Sequence, residues 1–499
     1  MALKSLLILP FAKKIAHDVE TWSQHAIQHQ HRIFRELITK ARNTRFGQDH
    51  HFELINSYED FKMRVPIRDY EGLKEYIDLL KKGDQDILWP GVPEYFAKTS
   101  GTTSGTKYIP MSRESTPYHV NTARNSLFTY VKETGNRFFF DGKMLYLSGS
   151  PELQDTNGIK TGRLSGIVNH QIPNWAKGNK LPSEAINSIE VWEEKLKAIV
   201  VESASEDVRL IGGIPPWVQM YYEELLVYTG KKTVKEVFPN LSVFVYGGVN
   251  YEPYRAKLEE LVGAQIDSVE TFPASEGFFA FQDKQGQPGL LLNVNAGMFF
   301  EFVPADQIYS EQPIRQSLDE VLIGVSYALI ITSNAGLWAY NIGDTVEFVS
   351  LDPPRLIVTG RIKHFISAFG EHVIGKEVER AMMEAIRSLQ LQVIEFTVAP
   401  QVTPDQGLPY HEWLIELADY TGLPEDIEPI IDEALQAQNI YYQDLIAGKI
   451  LRPAKVTLLQ RNAFRAYMAS IGKLGGQNKV PRLSNDRVIA DSLAKYILD

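Results

Sequence analysis

The chain of 499 residues contains no cysteine, which excludes disulfides, thiolate-held metals and a cysteine nucleophile by counting alone. An excess of positive charge is also missing. Asp and Glu number 62 against 51 Lys and Arg, a formal charge of -11, and this opposes non-specific attraction to nucleic acid or anionic lipid. No stretch approaches the roughly 18 apolar residues that a membrane span needs. The apolar run Leu6 to Phe11 is interrupted by Pro10 and closed by Lys13 and Lys14, too short for a signal core. There is no internal repeat, heptad run or low-complexity tract, so solenoid and coiled-coil readings have no support. Together these absences predict a cytoplasmic protein that acts on small molecules and partners neither nucleic acid nor membrane; a monomer or homodimer is the expected form, which no sequence feature decides.

What is present is an alternation of strand and helix patterns. Ile15, Val19, Trp22, Ala26, Ile33, Leu37 and Ala41 recur near a 3.6-residue spacing, which predicts one long amphipathic helix over 15–41. From residue 143 onward come short β-rich runs ended by glycine or polar turns, namely KMLYLSGS, VRLIGGIPP, SVFVYGG and SVETFPASE. Helical patterns lie between them, as in SEAINSIEVWEEKLKAIVV and YEPYRAKLEELVG, and the alternation predicts a layered α/β domain. A further β-rich block runs from GLLLNV to RLIVTGR. After Gly360 the pattern becomes that of a small α+β domain. At this length one large and at least one smaller domain are expected.

Four segments carry chemistry. Lys98 to Lys107, KTSGTTSGTK, crowds glycines and hydroxyl residues together. Such a stretch can turn backbone N–H groups and hydroxyls toward phosphate. It is not a Walker A loop, because no Gly-Lys-Ser/Thr follows, and a plain polar surface loop is the other reading. In Thr271-Phe-Pro-Ala-Ser-Glu276 a carboxylate closes a strand-end run. It would be solvated if alone, but in an ATP site it suits Mg²⁺, which takes one or two protein carboxylates together with phosphate oxygens and water. Tyr340-Asn-Ile-Gly-Asp344, followed by Thr359-Gly-Arg361, offers an aspartate able to accept from a ribose diol, or merely a turn. Gly475-Gly-Gln-Asn-Lys-Val-Pro-Arg482 sets Lys479 in a glycine-flanked segment, either a cationic loop that reaches a site or a solvated surface turn.

In order and spacing these segments resemble the core motifs of the adenylate-forming superfamily of acyl-CoA synthetases, adenylation domains and luciferases. Within it the chain is most similar to the auxin-responsive acyl acid amido synthetases, the Gretchen Hagen family. The resemblance spans nearly the whole chain. It implies a large N-terminal domain of layered sheets and helices with a β-barrel-like part, over 1–362, and a small mobile α+β lid over 363–499. ATP and Mg²⁺ are the implied cofactors, and a carboxylic acid and an amino acid the implied substrates.

The same resemblance implies roles. Ser100, Gly101, Thr102, Thr103, Ser104 and Gly105 would contact the triphosphate, with Ser100 and Thr103 taking part in catalysis. Gly247 and Gly248 would flank the adenine, Phe272 would stack on it, and Ser275 would touch phosphate or acyl group. Glu276 would be the Mg²⁺ ligand. Asp344 would hold the ribose, with Tyr340 a further nucleotide-binding residue and Arg361 a second ribose or phosphate contact. Lys363 would mark the hinge, and Lys479 would reach the acyl and phosphate oxygens. Two departures favour amide over thioester formation. Ser367 stands four residues beyond Lys363, where many thioester-forming relatives carry lysine, and GGQNKVPR replaces their Pro-x-Thr-x-x-Gly-Lys ending. TFPASE also departs from the more usual tyrosine-containing form. An acyl-CoA ligase and a nucleotide-binding protein without turnover are the alternatives.

Other residues have structural readings. His25 and His29 lie one helical turn apart, as metal ligands or exposed helix histidines. Ser148-Gly-Ser150 lacks the nucleophile-elbow frame and reads as a strand end. Trp175, Trp217 and Trp338 are core aromatics or pocket walls.

Overall fold

The structure, a computed structural model, describes residues 3–102, 105–171, 178–248, 251–305, 307–362, 365–366, 368–371, 373–418, 423–471 and 480–498. The chain forms two compact units. One comprises 1–99, 107–189 and 195–362, the other 100–106, 190–194 and 363–499.

Apolar runs such as VRLIGG suit strands covered on both faces, and they build the parallel part of the main sheet. The first fifteen strands are β1 (Tyr95–Thr102), β2 (Gly105–Met111), β3 (Lys143–Tyr146), β4 (Gln154–Thr156), β5 (Ile159–Gly162), β6 (Lys180–Leu181), β7 (Val208–Gly212), β8 (Val243–Gly247), β9 (Asp267–Ala274), β10 (Gly277–Phe281), β11 (Leu290–Leu292), β12 (Met298–Pro304), β13 (Ser326–Ser333), β14 (Tyr340–Leu351) and β15 (Pro354–Arg361). Eleven of them join one sheet in the order β12-β13-β14-β15-β11-β10-β9-β8-β7-β3-β6. From β9 to β6 neighbours are parallel, and from β12 to β9 they are antiparallel. The second sheet has the order β2-β1-β5-β4. The chain passes from β3 outward to β6 and returns to β7 on the other side of β3. The strand order therefore reverses between β3 and β7, where ligands of open α/β sheets bind outside the C-terminal strand ends.

The helix Thr116–Thr134 lies along β9 and β10, and its contacts fix its direction. Near its C-terminus the Tyr130 hydroxyl donates to Asp267 Oδ2 at 2.5 Å, at the start of β9. Glu133 Oε1 accepts from the Gln285 N–H at 3.1 Å. Near its N-terminus Thr122 Oγ1 accepts from Asn293 Nδ2 at 2.8 Å, and that amide also reaches the Phe278 carbonyl at 3.1 Å. The helix thus runs antiparallel to β9, with its N-terminal turns toward the β9–β10 hairpin tip.

Two helices differ from their sequence patterns. The N-terminal periodicity is carried by Leu3–Gln24 and Ala26–Ala41, separated at His25, whose φ of -115° and ψ of 32° leave the helical region. The apolar stripe nevertheless continues across the break, since Val19, Trp22, Ala26, Ile33 and Leu37 are all buried in one core. The pattern over 183–201 forms two helices, Glu184–Asn187 and Trp192–Ser203. Ser188 turns its hydroxyl back to the Glu184 carbonyl at 3.0 Å, a local alternative to helix continuation.

The smaller unit holds β16 (Phe365–Ile366), β17 (Val373–Ile374), β18 (Val393–Gln401), β19 (Tyr410–Leu417) and β20 (Lys455–Leu459). The last three form the sheet β18-β19-β20. The helix Gly375–Leu389 buries Val378, Ala381, Met382 and Ala385 at helical spacing. A polar network is enclosed here. Glu371 Oε1 meets His411 Nε2 at 2.8 Å, both groups fully buried. Asp432 accepts from the Tyr442 hydroxyl at 2.5 Å and the Ala454 N–H at 2.9 Å. Buried polar pairs of this kind help specify one packing arrangement, and a partner left unmatched in the same surroundings is costly.

Candidate active site

The TFPASE segment builds a tight hairpin. β9 ends at Ala274, β10 begins at Gly277 opposite it in register, and Ser275 and Glu276 are the two-residue turn between them. Both turn residues are half-buried. Gly247, at the end of β8, faces Thr271 of β9 so closely that a Cβ there would meet the Thr271 carbonyl oxygen at 2.3 Å. Only glycine fits. Gly248 follows with φ +78°, turning the chain off the strand end through the left-handed region. Gly247, Gly248, Ser275 and Glu276 consequently share the C-terminal edge of two adjacent parallel strands.

Tyr340 opens β14 and is fully buried. Its hydroxyl lies 3.5 Å from Glu276 Oε1, at the outer edge of hydrogen-bonding distance. Two motifs 64 residues apart thereby meet. Asp344, four residues on, is 8% exposed and stands opposite Arg361 in the β14–β15 register. The Gly343 carbonyl between these motifs accepts from the Ile362 N–H at 2.9 Å, which closes the end of the ladder.

The other predicted residues are placed as follows. Ser100, Gly101 and Thr102 end β1 and Gly105 starts β2, so the described part of the glycine- and threonine-rich segment is strand, in keeping with its β-branched content. Thr103, Ser104, Lys363, Ser367, Trp175 and Lys479 lie outside the described residues. Phe272 is buried, with its ring edge-on to Phe279 at 5.1 Å. Trp338 belongs to the core, its indole N–H donating to the Leu88 carbonyl at 2.9 Å. His25 Nδ1 faces the Thr21 carbonyl and His29 Nδ1 the Arg32 guanidinium, each at 2.9 Å.

Among the described residues no three His, Asp or Glu side chains gather as a metal cage. A single carboxylate at a hairpin tip fits Mg²⁺, which keeps several waters and takes phosphate oxygens as its other ligands. No described helix is long and apolar enough to cross a membrane.

Two functional-looking groups escape sequence reasoning. Lys195 is 2% exposed, and its ammonium donates to the carbonyls of Ser148 and Asn187 at 2.8 and 2.7 Å. Burial, aided by Arg163 and Lys180, lowers its pKa to about 8. It pins the segment leaving β3 to the neighbouring helices. His119 is buried on the helix along β9 and β10, and its Nδ1 has no hydrogen-bond partner among the described residues. The sequence signals neither, because a lone Lys or His on an apolar face reads as any other.

Comparison with known proteins bears on the whole chain. The model of the GH3 family N-terminal domain matches residues 15–171 and 159–266, that of the central domain 291–361 and that of the C-terminal domain 376–488. Indole-3-acetic acid-amido synthetase GH3.3 of Arabidopsis thaliana is 21% identical over 531 aligned positions, covering 91% of this chain and 88% of the relative. Jasmonoyl-L-amino acid synthetase JAR4 of Nicotiana attenuata is 22% identical, covering 79% and 80%. In structure the chain is similar to GH3.15 acyl acid amido synthetase, with a TM-score of 0.60 at 15% identity over 96% of both chains. It is also similar to 2-hydroxyisobutyryl-CoA ligase in the thioesterification state, at 0.53 and 15%, over 97% and 92%. Both likenesses are of fold, a sheet-rich N-terminal part followed by a smaller C-terminal one. With domain models matching in order along most of its length, the chain belongs to the GH3 family.

Proposed function

We propose that this protein is an ATP-dependent acyl acid amido synthetase, which adenylates a carboxylic acid and transfers the acyl group to an amino acid. The observation that supports this most is the meeting of Tyr340 with Glu276 beside the strand-end glycines, since it joins two motifs whose expected partners are the ribose and the phosphates of one nucleotide. The activities named for the relatives, amide synthesis from indole-3-acetic acid or jasmonate, are of the same class.

A carboxylate is a poor electrophile, being anionic with a bad leaving group. In the first step its oxygen attacks the α-phosphorus of ATP and pyrophosphate leaves. The developing charge is offset by hydroxyls and N–H groups of Ser100, Gly101, Thr102, Thr103, Ser104 and Gly105 and by the Lys479 ammonium. Mg²⁺, when bound by Glu276, supplies neutralisation of phosphate oxygens. Asp344 accepts from the ribose hydroxyls, Arg361 adds a second contact, and Gly247, Gly248 and Phe272 shape the adenine slot. In the second step a neutral amine attacks the acyl carbonyl, the bond to the phosphate oxygen breaks, and AMP departs while the amine nitrogen loses its proton. No covalent enzyme intermediate is needed, which suits a chain without cysteine. The segment from Lys363 onward acts as a lid that first excludes water and then admits the amine.

The test is product analysis with ATP, pooled carboxylic acids and pooled amino acids. AMP and an amide should accumulate only when acid and amino acid are both present. AMP release driven by CoA and indifferent to amines would overturn the assignment.

A further inference from the structure

Several described buried side chains carry a polar atom without a hydrogen-bond partner, and one of them, His119, lies on the helix that leads to the Glu276 hairpin. His119 is 5% exposed and its Nδ1 is shielded from solvent without a hydrogen-bond partner among the described residues. Buried polar atoms almost always have partners, and an exception calls for a ligand or water that completes it.

Its position says which. Thr122, Tyr130 and Glu133 all turn toward β9, β10 or the segments beside them, and His119 lies on the same face, three residues before Thr122. Thr122 is tied through Asn293 to the Phe278 carbonyl, two residues past Glu276. The three residues back from Thr122, a helical rise of about 4.5 Å, carry His119 onward in the direction of the hairpin tip. Two residues of strand, about 6.6 Å, separate Phe278 from Glu276. These two spans bring His119 toward the level of the Ser275–Glu276 turn, where Ser275 is expected to touch phosphate or acyl group.

Its chemistry says what it binds. Burial lowers its pKa to about 4 with no charged neighbour contributing, so at neutral pH the ring is uncharged and offers one N–H donor and one acceptor. So weak a base does not take a proton from an attacking amine, and a second carboxylate would find no charge to match it.

We infer that His119 is a specificity-determining residue that hydrogen-bonds an uncharged hydroxyl or carbonyl on the acyl substrate, so that hydroxy or oxo carboxylic acids are preferred over plain hydrocarbon acids. The inference rests on the acyl-adenylate reading of the Glu276 site. A site built to pair with a polar group discriminates against the analogue that lacks it, because its own buried partner is then left unmatched.

Acid-dependent exchange of labelled pyrophosphate into ATP, run on matched acids, tests this. Suitable sets are phenylacetic with the hydroxyphenylacetic acids, and octanoic with hydroxy- and oxo-octanoic acids. In at least one set the wild-type kcat/KM should favour the polar member by about 10- to 100-fold. His119→Leu should remove that preference by lowering kcat/KM for the polar member alone, while His119→Asn, which keeps a donor and an acceptor, should retain part of it. The leucine variant should melt no lower than wild type, since the atom it removes has no partner to lose. A wild-type preference for the hydrocarbon members, or one that persists in His119→Leu, overturns the inference and leaves adenylation standing. Failure of every acid to support exchange in the wild type overturns both.

Discussion

His119 ties stability to pH as well as to substrate. Its folded pKa of about 4 lies below the ordinary 6.5, so between those values the unfolded chain binds a proton that the folded chain refuses. Stability is therefore unaffected by this group above pH 6.5 and is progressively lost as pH falls toward 4. Between pH 7 and pH 5 the loss amounts to about 2 kcal/mol. Urea unfolding at the two pH values should show His119→Leu losing less stability than wild type by about that amount. Lys479 is the other residue with a quantitative expectation. As a donor aimed at charge that develops in the transition state, its replacement in Lys479→Ala should slow adenylation by about 10²- to 10³-fold with little change in thermal stability. Near-normal single-turnover rates would remove Lys479 from the proposed chemistry.

Between elements, the larger unit depends on a buried ion pair. Glu301 on β12 is fully buried and pairs with Arg315 at 2.6 Å, while accepting from the Tyr58 hydroxyl at 2.9 Å. Arg315 also donates to the Val65 carbonyl at 2.5 Å, so one cation joins the N-terminal helical segment to the sheet. Arg315→Met would strand a buried carboxylate and should cost about 3–5 kcal/mol in denaturant unfolding, more than Tyr58→Phe, which leaves the charges paired. At this scale much was legible. The β-rich runs that predict strands form β3, β7, β8 and β9, because strands covered on both faces must be apolar and their exits need glycine. Breaks were less legible. The stop at His25 and the split after Asn187 depend on local side-chain to backbone contacts that periodicity does not register. The partner of Glu301 lies 14 residues away across an irregular segment, and no pattern connects the two.

Across the whole molecule, motifs and topology contribute differently. TFPASE and YNIGD are readable separately, but the approach of Tyr340 to Glu276 belongs to the folded sheet, in which β15 and β11 stand between β14 and β10. His119 was invisible for a related reason: it is one of 11 histidines, and what sets it apart is its burial on the helix along β9 and β10, which is a property of the folded surroundings. The proposed lid gives a prediction on this scale. Lys363→Pro restricts the backbone where the two domains are expected to hinge, so pyrophosphate exchange should persist while amide formation falls by about tenfold or more. Equal losses in both would leave no reason to place a hinge there. The central claim is that the Glu276 turn activates a carboxylate on ATP, and the most direct measurement is pyrophosphate exchange in the absence of any amine. The account predicts exchange that requires both a carboxylic acid and Mg²⁺ and falls by about 10²-fold or more in Glu276→Gln. Exchange independent of the acid, or undiminished in that variant, would contradict it.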